Sequence, residues 1–371
     1  MLEKILIFYP SFERGGATQN LIKIVNYLIK NKIKIILFSY GVNKNYFNNN
    51  KYFKIIKTDP IKILNFLPIR WNITISAMLK LNSCLKFSQK NSMVFSMQSH
   101  IAAIVISKLK RYKIIIRNSE EPLGATYYAD NKFFAFIVLL LKIIFYNFCE
   151  KIIAISIMSK QSLEKLIFLK KKIILIYNPY LNQIFKNKNK NKKNINKYFR
   201  ILAVGRLTKQ KNFELLINSV RNLSTKYKNI KLLIIGDGSS KKQLLKIISE
   251  MKNVKIIKWQ NDLKSYYLNA DLFVLSSYYE GLPNVLIDSV NYEIPTVSTD
   301  CSGARDILVN GKGGYIIPIN DQSNLENKIE FIINNRTKAL KKTIYAKNNI
   351  QKFSSKNLKK FKDLFNNVIE A

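Results

Sequence analysis

The stretch from 270 to 306, ADLFVLSSYYEGLPNVLIDSVNYEIPTVSTDCSGARD, leaves this chain few ways to fold. Residues 272–275 (LFVL) are a short apolar run and predict a buried strand. Residues 276–282 predict a loop carrying Glu280 and Gly281. Pro283 suits the first turn of a helix, where its missing N–H is no loss. Residues 284–292 continue that helix, and 294–298 read as a second strand. The order strand, acidic glycine loop, helix, strand is a βαβ unit. Open α/β sheets of this kind bind ligands outside the carboxyl ends of their strands, where the loop lies.

The loop and helix carry charge at a useful spacing. Asp288 follows Asn284 by four residues, about 6 Å of helical rise. The backbone N–H groups of Gly281, Leu282 and the first helical residues are expected to lack helical partners and to form an anion site. A phosphate suits those donors. Ionised carboxylates only accept hydrogen bonds, so Glu280 and Asp288 suit the hydroxyls of a sugar and a ribose.

Glu280, Gly281, Pro283, Asn284 and Asp288 stand in the frame E-G-x-P-N-x-x-x-[acid]. That frame resembles the signature of glycosyltransferase family 4, whose members are retaining enzymes of the GT-B fold. The family usually has Glu at the second acidic position, and this chain has Asp288. The later VSTDCSGARDIL also resembles the family, with Asp306 where Glu is commoner. Each departure shortens a carboxylate by one methylene.

A second element has the same logic. Residues 199–204 (FRILAV) predict a strand, then Gly205-Arg206-Leu207-Thr208-Lys209-Gln210-Lys211-Asn212, then a helix over 213–223. A glycine at a strand end admits a diphosphate, Arg206 offers a bidentate fork and Lys211 a point charge. The segment resembles the family's G-R-L-x-x-x-K, which implies that Arg206 and Lys211 hold the donor diphosphate. Residues 254–259 predict a strand whose following loop, with Lys258 and Trp259, is where the family holds the nucleobase.

The first half repeats the pattern. Residues 4–9 predict a strand, then a loop with Gly15 and Gly16, then an amphipathic helix over 19–30. Gly15 and Gly16 permit positive φ and close backbone approach. By resemblance, this loop meets the donor phosphate or the acceptor. Nothing matches GxGxxG, so no nicotinamide site is expected. A strand over 113–116 is expected to end in a loop starting at Arg117 and Asn118; by resemblance that strand end faces the cleft, and many family members have a histidine in this loop. His100, the only histidine, precedes a helix running to 109 and is a further cleft candidate.

Composition narrows the remaining choices. A chain of 371 residues with 47% hydrophobic content is globular and long enough for about two domains. Three scattered cysteines exclude a disulfide framework and a CxxC zinc site. The formal charge of +39 suits an anionic membrane surface, or reflects a Lys-, Asn- and Ile-rich composition. The basic residues are dispersed and no nucleic-acid-binding pattern is present, so nucleic acid is not an expected partner. No signal peptide is expected at the N-terminus. Residues 133–148 (FFAFIVLLLKIIFYNF) fall short of the ~18 residues of a spanning helix. They read as a buried helix, or else as a surface dipping into the bilayer interface. Residues 60–81, with Ile63, Phe66 and Trp71, read as a loop packed on its domain or as a part facing a membrane.

The resemblance therefore implies an α/β chain of the GT-B fold, two Rossmann-like, doubly wound parallel-sheet domains facing across a cleft. The expected divisions are 1–178 for the acceptor domain, 179–198 for a basic linker, 199–355 for the nucleotide-sugar domain and 356–371 for a helix packing back on the first. The expected reaction is retaining transfer of a sugar from a nucleotide diphosphate to a lipid-linked or oligosaccharide acceptor, in surface-glycan assembly. Glu280, Arg206 and Lys211 would carry the chemistry, without cofactor and, since no Asp-x-Asp occurs, without metal. The expected place of work is cytoplasmic, on the inner face of the cell membrane. Rival expectations are a nucleotide-sugar epimerase, which needs no acceptor, and a non-catalytic sugar-binding subunit.

Overall fold

Strand β1 (Lys4–Ser11, KILIFYPS) is buried along most of its length. Its alternate side chains serve two cores: Ile5, Ile7 and Tyr9 join one cluster, Leu6 and Phe8 the other. A strand apolar on both faces needs a layer of helices on each side. The architecture comes from a computed structural model that describes residues 2–13, 15–47, 51–85, 91–185 and 198–371. The chain divides into two compact units, Met1–Asn182 with Phe353–Ala371, and Gln183–Lys352.

In the first unit β1 is followed by α1 (Gly16–Lys30), β2 (Lys34–Tyr40), β3 (Phe53–Lys57) and α2 (Ile69–Cys84). Then come β4 (Ser92–Ser96), α3 (His100–Leu109), β5 (Lys113–Asn118), α4 (Pro122–Tyr127) and α5 (Lys132–Phe145). The series closes with β6 (Lys151–Ala154), α6 (Ile157–Leu166) and β7 (Ile173–Leu175). Among the described residues the strands form one parallel sheet in the order β3-β2-β1-β4-β5-β6-β7. The chain winds outward from β1 to β3, then returns to build the other half from β4. The switch point lies between β1 and β4.

The second unit runs β8 (Phe199–Val204), α7 (Phe213–Lys226), β9 (Ile230–Ile235), α8 (Lys241–Ile247), β10 (Val254–Ile257) and α9 (Lys264–Leu268). It continues through β11 (Leu272–Leu275), α10 (Asn284–Asn291), β12 (Thr296–Thr299), α11 (Ala304–Ile307) and β13 (Tyr315–Ile317). Helices α12 (Gln322–Asn334) and α13 (Arg336–Lys347) finish it. Its described strands are all parallel, in the order β10-β9-β8-β11-β12-β13. The switch point here lies between β8 and β11. Leu216, Ile217 and Val220 of α7 and Leu325 and Ile329 of α12 pack into one core with β8 and β9.

The chain returns to its first unit for the last helix, α14 (Asn357–Glu370). Phe361, Phe365 and Val368 share one helical face and enter the core built on β1 and α1. Phe365 meets Phe95 of β4 with ring centroids 5.0 Å apart. Lys113 Nζ donates to the Val368 carbonyl at 2.9 Å.

Four expectations need correction. The 133–148 segment is not a buried helix: α5 contains no buried residue, and Phe133 is 76% exposed. Residues 60–81 are largely helical from Ile69, not a loop. Arg117 and Asn118 are the last residues of β5, both buried, because the apolar run continues into ladder pairing with β6. Gly15 caps α1 with an extended φ of 161° and Gly16 opens the helix, so neither uses the left-handed region. Of the basic linker predicted at 179–198, residues 186–197 lie outside the described residues.

Candidate functional site

The loops after β8 and β11 border the crevice at the second unit's switch point, the place where such sheets receive ligands. Their backbones are tied together. Tyr278 N donates to the Gln210 carbonyl at 2.9 Å, Gln210 Nε2 to the Tyr279 carbonyl at 2.8 Å, and Ser276 Oγ to the Lys211 carbonyl at 2.9 Å. These bonds fix where the side chains of both loops start.

The consequence is an ion pair. Lys211 Nζ lies 2.5 Å from Glu280 Oε1, with the side chains 11% and 10% exposed. Ser277 Oγ donates to the same carboxylate oxygen at 2.7 Å. Glu280 keeps Oε2 for further donors. Arg206, by contrast, is exposed, and its guanidinium touches Gln210 Oε1 only at 3.5 Å. A charge-assisted bond is shorter than that, so the fork of Arg206 remains available to an anion.

The acidic loop is also held from the β12 side. Thr299 Oγ1 donates to the Ser277 carbonyl at 2.6 Å and Ser302 Oγ to the Gly281 carbonyl at 3.2 Å. Gly303, at φ 81°, leans on Leu282: a Cβ there would lie 2.9 Å from Leu282 Cα. Gly281 and Leu282 have no acceptor for their N–H groups among the described residues. Pro283 occupies the N-cap of α10 and not its first turn, with Asn284 opening the helix. These N–H groups and the helix start supply positive potential beside Glu280.

Asp288 lies one turn into α10 and is half-buried. The Tyr292 hydroxyl has its pKa raised by burial first, then by the carboxylates of Asp288 and Asp262. The ring of Tyr292 stacks on Tyr267 at 5.3 Å. Lys258 and Trp259 follow β10, the edge strand, two places from β8. Asp237, after β9, has a depressed pKa from the Gly238 N–H, then Lys241, with Lys258 a smaller contributor. The structure therefore brings Lys211, Glu280 and Gly281 together and leaves Lys258 and Trp259 at the sheet margin. Ser277, Gln210 and Thr299 escape sequence reading, since their roles come from contacts between distant loops.

The first unit holds the remaining candidates near the carboxyl ends of β1, β4 and β5. Arg117 donates to Ser119 Oγ at 2.7 Å and to Asn178 Oδ1, while its Nε has no acceptor among the described residues. Burial lowers its pKa to about 10. Asn118 donates to the Glu120 carbonyl. These bonds tie both side chains into the first unit.

His100 is half-buried and its Nδ1 lies 2.9 Å from Ser96 Oγ, which is also 2.9 Å from the Gln98 carbonyl. The hydroxyl has one proton. Donated to Gln98, it leaves Ser96 Oγ to accept from Nδ1–H, so Nε2 bears the lone pair. Burial, then the charges of Lys142 and Arg117, lower the pKa of His100 to about 3. The unfolded chain binds this proton near 6.5. Stability is therefore lost as pH falls through the window from about 6.5 toward 3. As the chain's single histidine, His100 reports cleanly by NMR: its ring signals are expected to stay constant from about pH 8 to about pH 5. A midpoint near 6.5 would contradict the geometry. His100→Gln should flatten that limb of the stability curve.

The chain resembles known proteins in both sequence and fold. Residues 185–350 match the model of the family described as glycosyl transferases group 1. The capsular polysaccharide biosynthesis glycosyltransferase CapM of Staphylococcus aureus is 34% identical over 154 residues, 40% of this chain and 40% of CapM. An alignment at 39% identity spans 28% of its relative's length, so the higher-identity matches each cover less than half of the relative. A longer match is the GalNAc-alpha-(1->4)-GalNAc-alpha-(1->3)-diNAcBac-PP-undecaprenol alpha-1,4-N-acetyl-D-galactosaminyltransferase of Campylobacter jejuni. It is 25% identical over 341 residues, 89% of each chain. Among solved structures, HepE of Anabaena, in complex with UDP and glucose, superposes with a TM-score of 0.76 at 15% identity. It covers 98% of this chain and 100% of HepE. That likeness establishes the GT-B fold class.

Proposed function

We infer the reaction from one premise: residues 185–350 match the family of the glycosyl transferases group 1. The reading is a retaining transferase that moves a hexosyl or N-acetylhexosaminyl group from a nucleotide diphosphate to a glycan acceptor. The observation that carries it is the Lys211–Glu280 pair, held at the switch point by bonds between the two loops. It sets a cation and a carboxylate side by side, as a sugar diphosphate requires.

In this reading Arg206 and Lys211 take the diphosphate, with the N–H groups of Gly281 and Leu282 assisting. Glu280 Oε2 accepts from sugar hydroxyls, and Asp288 from the ribose. The bond from the anomeric carbon to the diphosphate oxygen breaks, and the acceptor hydroxyl oxygen bonds to that carbon on the same face. The hydroxyl proton passes to the leaving diphosphate. Fixed cations aimed at the growing negative charge supply the largest share of such acceleration. They do the work of a metal, so none is required.

The acceptor proposed is a lipid-linked glycan, presented at the inner face of the cell membrane. The Campylobacter relative, whose name describes an undecaprenol-linked glycan, supports that class. UDP-sugars are the first donors to test, since HepE is known with UDP and glucose.

The test is a transfer assay with UDP-, GDP- and ADP-sugars and a short-chain lipid-diphosphate oligosaccharide. Transfer is expected to persist in excess EDTA with its rate unchanged. Loss of all activity on chelation would remove the metal-free mechanism. Donor isomerisation without acceptor would replace transfer by epimerisation.

A further inference from the structure

We propose that α5 and the stretch from Ile63 to Trp71 form an apolar band that enters the interface of an anionic lipid bilayer, with α5 lying flat. This inference rests on the membrane-presented acceptor above and assigns the surface that meets the membrane.

Helix α5 has the sequence KFFAFIVLLLKIIF and buries none of its residues. Phe133, Phe136, Leu140 and Ile144 are 76%, 51%, 43% and 55% exposed. A helix this apolar normally lies inside a protein or against lipid. The band extends past both ends. At the N-terminal end Trp71 packs against Phe134 with ring centroids 5.7 Å apart, leading to Ile69, Phe66 and Ile63, the last two 79% and 82% exposed. At the C-terminal end Asn147 Oδ1 accepts from Leu169 N, which brings Phe148, Leu169 and the 82% exposed Phe168 together. Contiguous apolar surface of this extent marks an interaction site and not ordinary exposure.

Geometry and charge select the occupant. With 14 residues, α5 is about 21 Å long and too short to span the ~30 Å hydrocarbon layer. Among the described residues no helix is long and apolar enough to cross a membrane. The helix is held to the body of its unit by Lys142, whose Nζ lies 2.6 Å from Glu120 Oε1. It can therefore enter the interface only side-on. The band is edged by cations: Lys62 and Arg70 near one end, Lys170, Lys171 and Lys172 near the other. Long basic side chains reach headgroups while their stems follow apolar surface. A second copy would bring the same positive edge and a net charge of +39 against itself, whereas an anionic bilayer complements it.

Flotation of the full chain with vesicles containing roughly one quarter anionic phospholipid tests the inference. Wild type is expected to float and to keep a substantial bound fraction at about 0.5 M salt, where exposed charges are screened. The variant F133S/F136S/L140S is expected to lose that salt-resistant fraction, with partitioning reduced at least about tenfold. A blue shift of tryptophan emission on vesicle addition should vanish in Trp71→Phe. Equal flotation of variant and wild type, or loss of all wild-type binding in salt, overturns the inference. So does a wild-type dimer that the triple variant splits. Transfer to a water-soluble acceptor separates the two ideas. Vesicle binding without any transfer product sinks the reaction and leaves the docking standing; transfer without vesicle binding does the reverse.

Discussion

Lys211→Ala is expected to lower the turnover of sugar transfer by roughly 10²–10³-fold, the usual cost of removing one preorganised charge-stabilising group. The same change strips the partner from Glu280, whose side chain is 10% exposed with a lysine 2.5 Å away. A near-buried carboxylate left alone costs about 3 kcal/mol, the lower range for broken buried pairs. Glu280→Gln exposes the converse problem at Lys211. The combined K211A/E280Q chain carries no unpaired charge, so it should recover much of the lost stability while remaining inactive. Urea unfolding of the four proteins gives the coupling, expected at about 1–3 kcal/mol. Additive losses in stability, or a Lys211→Ala protein with near wild-type turnover, would remove this pair from the proposed machinery.

Gly236→Ala is the second large effect. The loop after β9 packs so tightly on the loop after β8 that a Cβ at Gly236 would lie 1.9 Å from the Gly205 carbonyl oxygen. The obstacle is backbone, and it belongs to the segment that carries Arg206 and Lys211. The loop must shift or the unit must open. The expected cost is roughly 3 kcal/mol or more, at the upper end for overpacking, together with loss of nucleotide-sugar binding by calorimetry. Gly15→Ala is the control. Nothing lies within 4 Å of a Cβ there and the φ is extended, so stability should change by less than about 0.5 kcal/mol. Equal stability of both variants would mean the two loops do not constrain each other.

The parallel sheets were legible because their strands are short apolar runs bounded by glycine, proline and polar residues. Residues LFVL at 272–275 and FRILAV at 199–204 became β11 and β8 at those bounds. Lys211 and Glu280 stood out through spacing after those strands. Their direct contact did not, since 69 residues separate them and it is the β8–β11 pairing that makes their loops neighbours. Arg117 shows the opposite failure. A charged residue after an apolar run reads as a loop, yet ladder pairing to β6 carries it into the interior, where Ser119 and Asn178 accept from its two terminal nitrogens. Helix α5 defeated periodicity for a simpler reason. A segment apolar on every face carries no signal of which side meets solvent.

The amino-acid order alone determined that the chain forms doubly wound α/β units and which loops bear the cations and carboxylates. It did so because strand and helix signals are local, spanning a few residues and their turns. Tertiary structure alone decided that Lys211 closes on Glu280, that Arg117 is sealed away and that α5 stays uncovered. Those outcomes depend on which strands become neighbours and on how much apolar surface the helices find to cover, and neither quantity is written in any one stretch of the chain.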